Sequence, residues 1–81
     1  MVDWHDRCIG EVKFFNPIKG YGFILPPKIM QRSWNSDIFF HYSNIVPIIP
    51  GQYRKLQAGD FVYFNPRYKN GQMVAISIKK I

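Results

Sequence analysis

Apolar and polar residues alternate along five short stretches of this chain, and proline or glycine interrupts the sequence between them. Pro17, Pro26, Pro27, Pro47, Pro50 and Pro66 divide the 81 residues too often for long helices, and apolar residues rarely recur at i, i+3 and i+4 for three turns. The runs GEVKFFN (10–16), YGFIL (21–25), DIFFHY (37–42), DFVYFN (60–65) and QMVAISI (72–78) are rich in Val, Ile, Phe and Tyr and predict strands. Asn70-Gly71 between the last two predicts a tight hairpin, because both residues tolerate positive φ. The segment from 43 to 59 is too broken by proline for more than a short helical turn. Five strands in so short a chain predict an all-β barrel.

Neighbouring side chains on a strand point to opposite faces, so alternation also sorts inside from outside. Val62 and Phe64 share an inner face, as do Val74, Ile76 and Ile78. With Ile24 inside, Gly22 turns inward with it and Tyr21 and Phe23 point outward. With Ile38 and Phe40 inside, Phe39 and His41 point outward. Two strands thus each present an outward aromatic pair.

Composition then narrows the possibilities. At 47% hydrophobic and 17% aromatic the chain is too apolar to stay disordered. A length of 81 residues is one domain, here a core over 9–81 after a short arm at 1–8. The lone Cys8 cannot form an internal disulfide, no apolar run approaches the roughly 18 residues that span a bilayer, and no leader pattern opens the sequence. These features predict a soluble cytoplasmic protein, with nothing that demands more than a monomer. Eleven Lys and Arg against five Asp and Glu give a net charge of +6, with no acid between Val12 and Ser36 or after Asp60, which favours a polyanionic partner. Lys13 and Lys19 flank the outward aromatic pairs. Rings with cations at their edge form a platform on which unpaired bases stack, at about 1–3 kcal/mol per base, while the lysines attract phosphates.

With these residues in place, the chain closely resembles the cold-shock domain family. KGYGFI looks like its first ribonucleoprotein motif and DIFFHY like its second, with GEVKFFN matching the strand before them and LQAGDFVYF the fourth strand. RNA-recognition motif domains carry similar patterns in the reverse order and need two helices, which this sequence lacks. The resemblance runs from about Ile9 to Ile78 and implies a five-stranded antiparallel Greek-key barrel of the oligonucleotide-binding (OB) fold, with nucleic acid bound across strands two and three. Its contact positions fall on Lys13, Phe14, Phe15 and Asn16 in the first strand and on Lys19, Tyr21 and Phe23 in the glycine-rich motif. Phe39, His41 and Tyr42 follow in the second motif, and Tyr53 in the long loop. Strict alternation from Val12 turns Phe14 inward, and from Phe40 does the same to Tyr42, whereas the resemblance sets both outside. A bulge or strong twist near those strand ends reconciles the two.

The chain departs from the family pattern at Phe14, where tryptophan is usual, and at Ile18, where a small or acidic residue is common. The loop between strands two and three is longer than usual. It offers Lys28, Arg32 and Trp34 as additional contacts, with Arg54 a further one in the long loop. Single-stranded RNA or DNA is the implied partner, with transcription or translation machinery a further one. His5, Cys8 and His41 are too few for a closed metal site, no catalytic triad, carboxylate pair or phosphate-binding loop is present, and neither cofactor nor enzymatic activity is expected. The competing reading is a basic barrel that binds polymerase or ribosome through its altered loops. A nuclease is disfavoured by the shortage of acidic residues for metal-dependent cleavage.

Overall fold

A computed structural model describes residues 8–26, 37–47 and 55–81. Among the described residues the strands are β1 (Cys8–Asn16), β2 (Tyr21–Leu25), β3 (Ile38–His41), β4 (Phe61–Lys69) and β5 (Gln72–Lys80), with a 3-10 turn at Tyr42–Asn44. They close into a barrel in the order β1-β2-β3-β5-β4. The contacts β1–β2, β1–β4, β2–β3 and β4–β5 are antiparallel. The β3–β5 contact is parallel, with Phe39 opposite Val74. The expected five-stranded antiparallel barrel closes through this one parallel seam for a geometric reason: a closed ring with an odd number of strands cannot reverse direction at every neighbour.

The core follows the alternation where the strands are regular. Val12, Ile24, Ile38, Phe40, Val62 and Phe64 are fully buried, and Ile78 joins them. Cys8, where β1 begins, is buried opposite Phe64. β4 runs on through Pro66 to Lys69, beyond the expected end at residue 65. Among the described residues β1 pairs with β4 only as far as Phe64, so at Pro66 the β4–β5 ribbon has β4 as its edge, where a proline is tolerated. The ribbon turns at Asn70 (φ 53°) and Gly71 (φ 77°), with Lys69 opposite Gln72, the two-residue hairpin that the Asn-Gly pair predicts.

Two bulges shape the barrel. In β1 the register shifts between Val12 and Phe14, leaving Lys13 as an extra residue. In β5 the residues between Ile76 and Lys79 oppose Phe64 alone, and Ser77 takes up the excess with φ 52°. The second bulge corrects the expected inner face of β5: Ala75 and Ile78 are buried, while Val74 and Ile76 are half-buried on the other side. Among the described residues, no helix is long and apolar enough to cross a membrane.

Candidate nucleic-acid interface

The bulge at Lys13 settles the conflict over β1. An extra residue turns two consecutive side chains outward before alternation resumes. Phe14 is 43% exposed, and Phe15 turns inward, half-buried against the core. The lateral row beneath the surface reads Phe15–Gly22–Phe40 across β1, β2 and β3. With no side chain on Gly22, the Phe15 and Phe40 rings meet in a stack, centroids 5.8 Å apart and 8° from parallel. Phe15 therefore lies under the aromatic surface and supports it. It keeps part of its ring open to solvent beside the exposed Phe14.

Tyr42 escapes the inward face because β3 ends at His41 and the chain enters the 3-10 turn. The Tyr42 backbone N–H donates to Gly20 O at 2.8 Å, and its side chain is 44% exposed. Its ring lies 4.8 Å from that of His41. The His41 Nδ1 accepts from the Ser43 backbone N–H at 3.2 Å and lies 2.8 Å from Ser43 Oγ. In the neutral ring the proton then sits on Nε2, leaving that nitrogen a donor.

The outward rings form one connected surface. Tyr21 lies 5.9 Å from Phe14, 6.0 Å from Phe23 and 5.9 Å from Phe39. Phe23 lies 6.5 Å from Phe14 and 5.9 Å from Phe39. Successive pairs are tilted, stacked or edge-to-face, arrangements that stabilise aromatic clusters. Each ring in this cluster stays partly open to solvent, and together they cover neighbouring strands β1, β2 and β3.

Asn16 and Lys19 belong to the β1–β2 turn. The Asn16 Oδ1 accepts from the backbone N–H groups of Ile18 and Lys19, both at 3.0 Å, and its carbonyl accepts from Gly20 N–H at 2.8 Å. That side chain shapes the turn in the manner of an Asx motif, and Lys19 stands exposed at the turn's end. Lys13 is less free than the sequence suggests, because its Nζ donates to Asp37 Oδ2 at 2.9 Å. The sequence reading passed over Asp37 as a partner for Lys13. Its signal was the acid that opens DIFFHY, two residues before the outward Phe39. Tyr53, Lys28, Arg32, Trp34 and Arg54 lie outside the described residues, as do Trp4 and His5.

Comparison with known proteins gives a consistent result. The family described as 'Cold-shock' DNA-binding domain matches residues 8–81. Cold shock-like protein CspD of Escherichia coli K12 is 46% identical over 56 residues, covering 69% of this chain and 65% of its own length. Cold shock protein ScoF of Streptomyces coelicolor is 45% identical over 56 residues, 69% of this chain and 72% of its own. Cold shock-like protein CspA of Rickettsia bellii is 32% identical over 73 residues, 90% of this chain and 93% of its own. The chain thus spans about two thirds of the length of its CspD relative and nearly all of the Rickettsia protein. The resemblance read from KGYGFI and DIFFHY is borne out: the chain belongs to the 'Cold-shock' DNA-binding domain family.

Proposed function

We propose that this chain binds single-stranded RNA or DNA without strong sequence preference, by stacking unpaired bases on Phe14, Tyr21, Phe23 and Phe39, and holds the open strand as a nucleic-acid chaperone. The observation that carries this reading is the connected outward cluster of four rings, with neighbouring centroids 5.9 to 6.5 Å apart, on three adjacent strands of a strongly basic chain. Every base has a π-face, so such a surface accepts any unpaired sequence, whereas a duplex keeps its bases stacked on one another. Binding the open strand and not the paired one shifts the folding equilibrium of the nucleic acid by mass action, with no need of ATP. The protein would act as a monomer in the cytoplasm, where transcription and translation expose such strands. His41 and Tyr42 extend the surface at one end, and Lys19 supplies charge beside it.

Intrinsic fluorescence titrated with matched single-stranded and duplex oligonucleotides tests the reading. Quenching by the single strand alone supports it, and an equal response to duplex, or none to either, overturns it. For a short oligothymidine, log affinity should fall with log salt concentration at about −0.7 per phosphate neutralised. Affinity indifferent to salt would remove the lysines from the account.

The Lys13–Asp37 pair gives a finer test. An exposed ion pair is worth about 0.2–1 kcal/mol, so Asp37→Asn should release Lys13 and strengthen oligothymidine binding by about 1.4- to fivefold at low salt. The gain should vanish near 1 M salt, where the screening length is about 3 Å. An unchanged affinity at low salt would mean that Lys13 does not reach a phosphate.

A further inference from the structure

The aromatic surface does not end at β3. Following the register sideways, Phe14 lies opposite Phe23, Phe23 opposite Phe39, Phe39 opposite Val74 and Val74 opposite Arg67. Residues paired across a sheet share a face, so these five side chains form one lateral row from β1 to β4. The row reads three phenylalanines, a half-buried valine and an exposed arginine. Neighbouring strands lie about 4.8 Å apart, which sets Arg67 roughly 10 Å beyond Phe39. Lys69, two residues further along β4, is exposed on the same face. This part of the barrel wall is the ribbon that continues past the end of β1–β4 pairing.

Charge is distributed unevenly along the row. At the β1 end Lys13 is held by Asp37, whereas among the described residues Arg67 and Lys69 meet no carboxylate. The Arg67 Nη1 donates to the Pro66 carbonyl at 2.8 Å, which holds one terminal nitrogen of the guanidinium and leaves its other N–H groups available. A guanidinium anchored in this way presents a planar fork suited to phosphate oxygens.

We propose that a single strand stacked on the phenylalanines continues over Val74, and that Arg67 takes a phosphate of the nucleotides beyond Phe39, with Lys69 beside it. The β4–β5 ribbon is then a second, electrostatic half of the site, and it lengthens the bound strand by about two nucleotides. This inference rests on the proposed stacking of unpaired bases on the rings.

The experiment compares oligothymidines of about four and about eight nucleotides, one long enough for the rings and one long enough for rings and ribbon. Arg67→Gln should lower the affinity for the longer strand roughly tenfold, leave the shorter within about twofold, and make the longer strand's salt slope shallower by about 0.7. Arg67→Lys, which keeps the charge but not the planar fork, should restore the salt slope and recover part of the affinity. Lys79→Gln, on β5 beyond the bulge, removes the same charge away from the row and should affect both lengths equally. Equal weakening of both strands by Arg67→Gln, or no weakening of either while the unaltered protein binds both, overturns the ribbon's role and leaves the stacking surface standing. Failure of the unaltered protein to bind either strand overturns both.

Discussion

Replacing Tyr21 and Phe39 together by alanine should weaken oligothymidine binding by about thirtyfold or more while the protein stays folded. Each ring that stacks a base contributes about 1–3 kcal/mol. Two such losses amount to at least about 2 kcal/mol, and each 1.4 kcal/mol is tenfold in affinity. These residues are suited to the test because their rings stack on one another, 5.9 Å apart, at the centre of the surface and outside the core. Their removal opens no cavity beneath, where Phe15 and Phe40 remain stacked. Circular dichroism should therefore report an intact barrel. Undiminished affinity in a folded double variant would show that bases do not stack on this face.

The converse behaviour is expected at Gly22, between the outward Tyr21 and Phe23 in sequence and opposite them in direction. A Cβ at this position would clash with the Phe14 carbonyl oxygen and stand 2.7 and 2.8 Å from atoms of the Phe40 ring. The carbonyl belongs to the neighbouring strand and cannot swing aside as a flexible side chain would. Overpacking of this kind typically costs about 1–3 kcal/mol and at times more. At about 0.05–0.15 kcal/mol per residue, a chain of this length has roughly 4–12 kcal/mol in all. Gly22→Ala should thus remove about 3 kcal/mol and lower the melting temperature by about 12–24 °C, as followed by calorimetry. A variant that melts within about 3 °C of the parent would mean that β1 and β2 separate freely enough to admit a methyl group, against the close approach described above.

These two residues also mark what could be read from the chain alone. β2 is regular, so a period of two places Tyr21 and Phe23 outside and Gly22 inside, and the barrel agrees. The same rule misplaced Phe14 in β1 and Val74 and Ile76 in β5, and both errors have one physical cause. A bulge adds a residue without changing the composition of the strand, so nothing in the local pattern of apolar residues reveals it. The family resemblance recovered Phe14, because it carries the outcome of the bulge along with the motif. How far Phe15 turns inward was not legible, because that depends on a gap opened by a glycine on the next strand. The pairing of Lys13 with the acid that opens DIFFHY, and the row ending at Arg67, could not be assigned for a related reason. Both join strands distant in sequence, through a register that only the closed barrel defines.

The two bulges make the barrel unequally tolerant of lost residues. Lys13 and Ser77 are surplus to the ladder, so a chain one residue shorter at either position keeps every later side chain on its own face. A chain one residue shorter within β2 does not: Tyr21 would turn to the core and Gly22 to the solvent. Within the strands, loss of a residue is thereby tolerated where it adjusts curvature and charge, and it is barred from the strand that displays the rings.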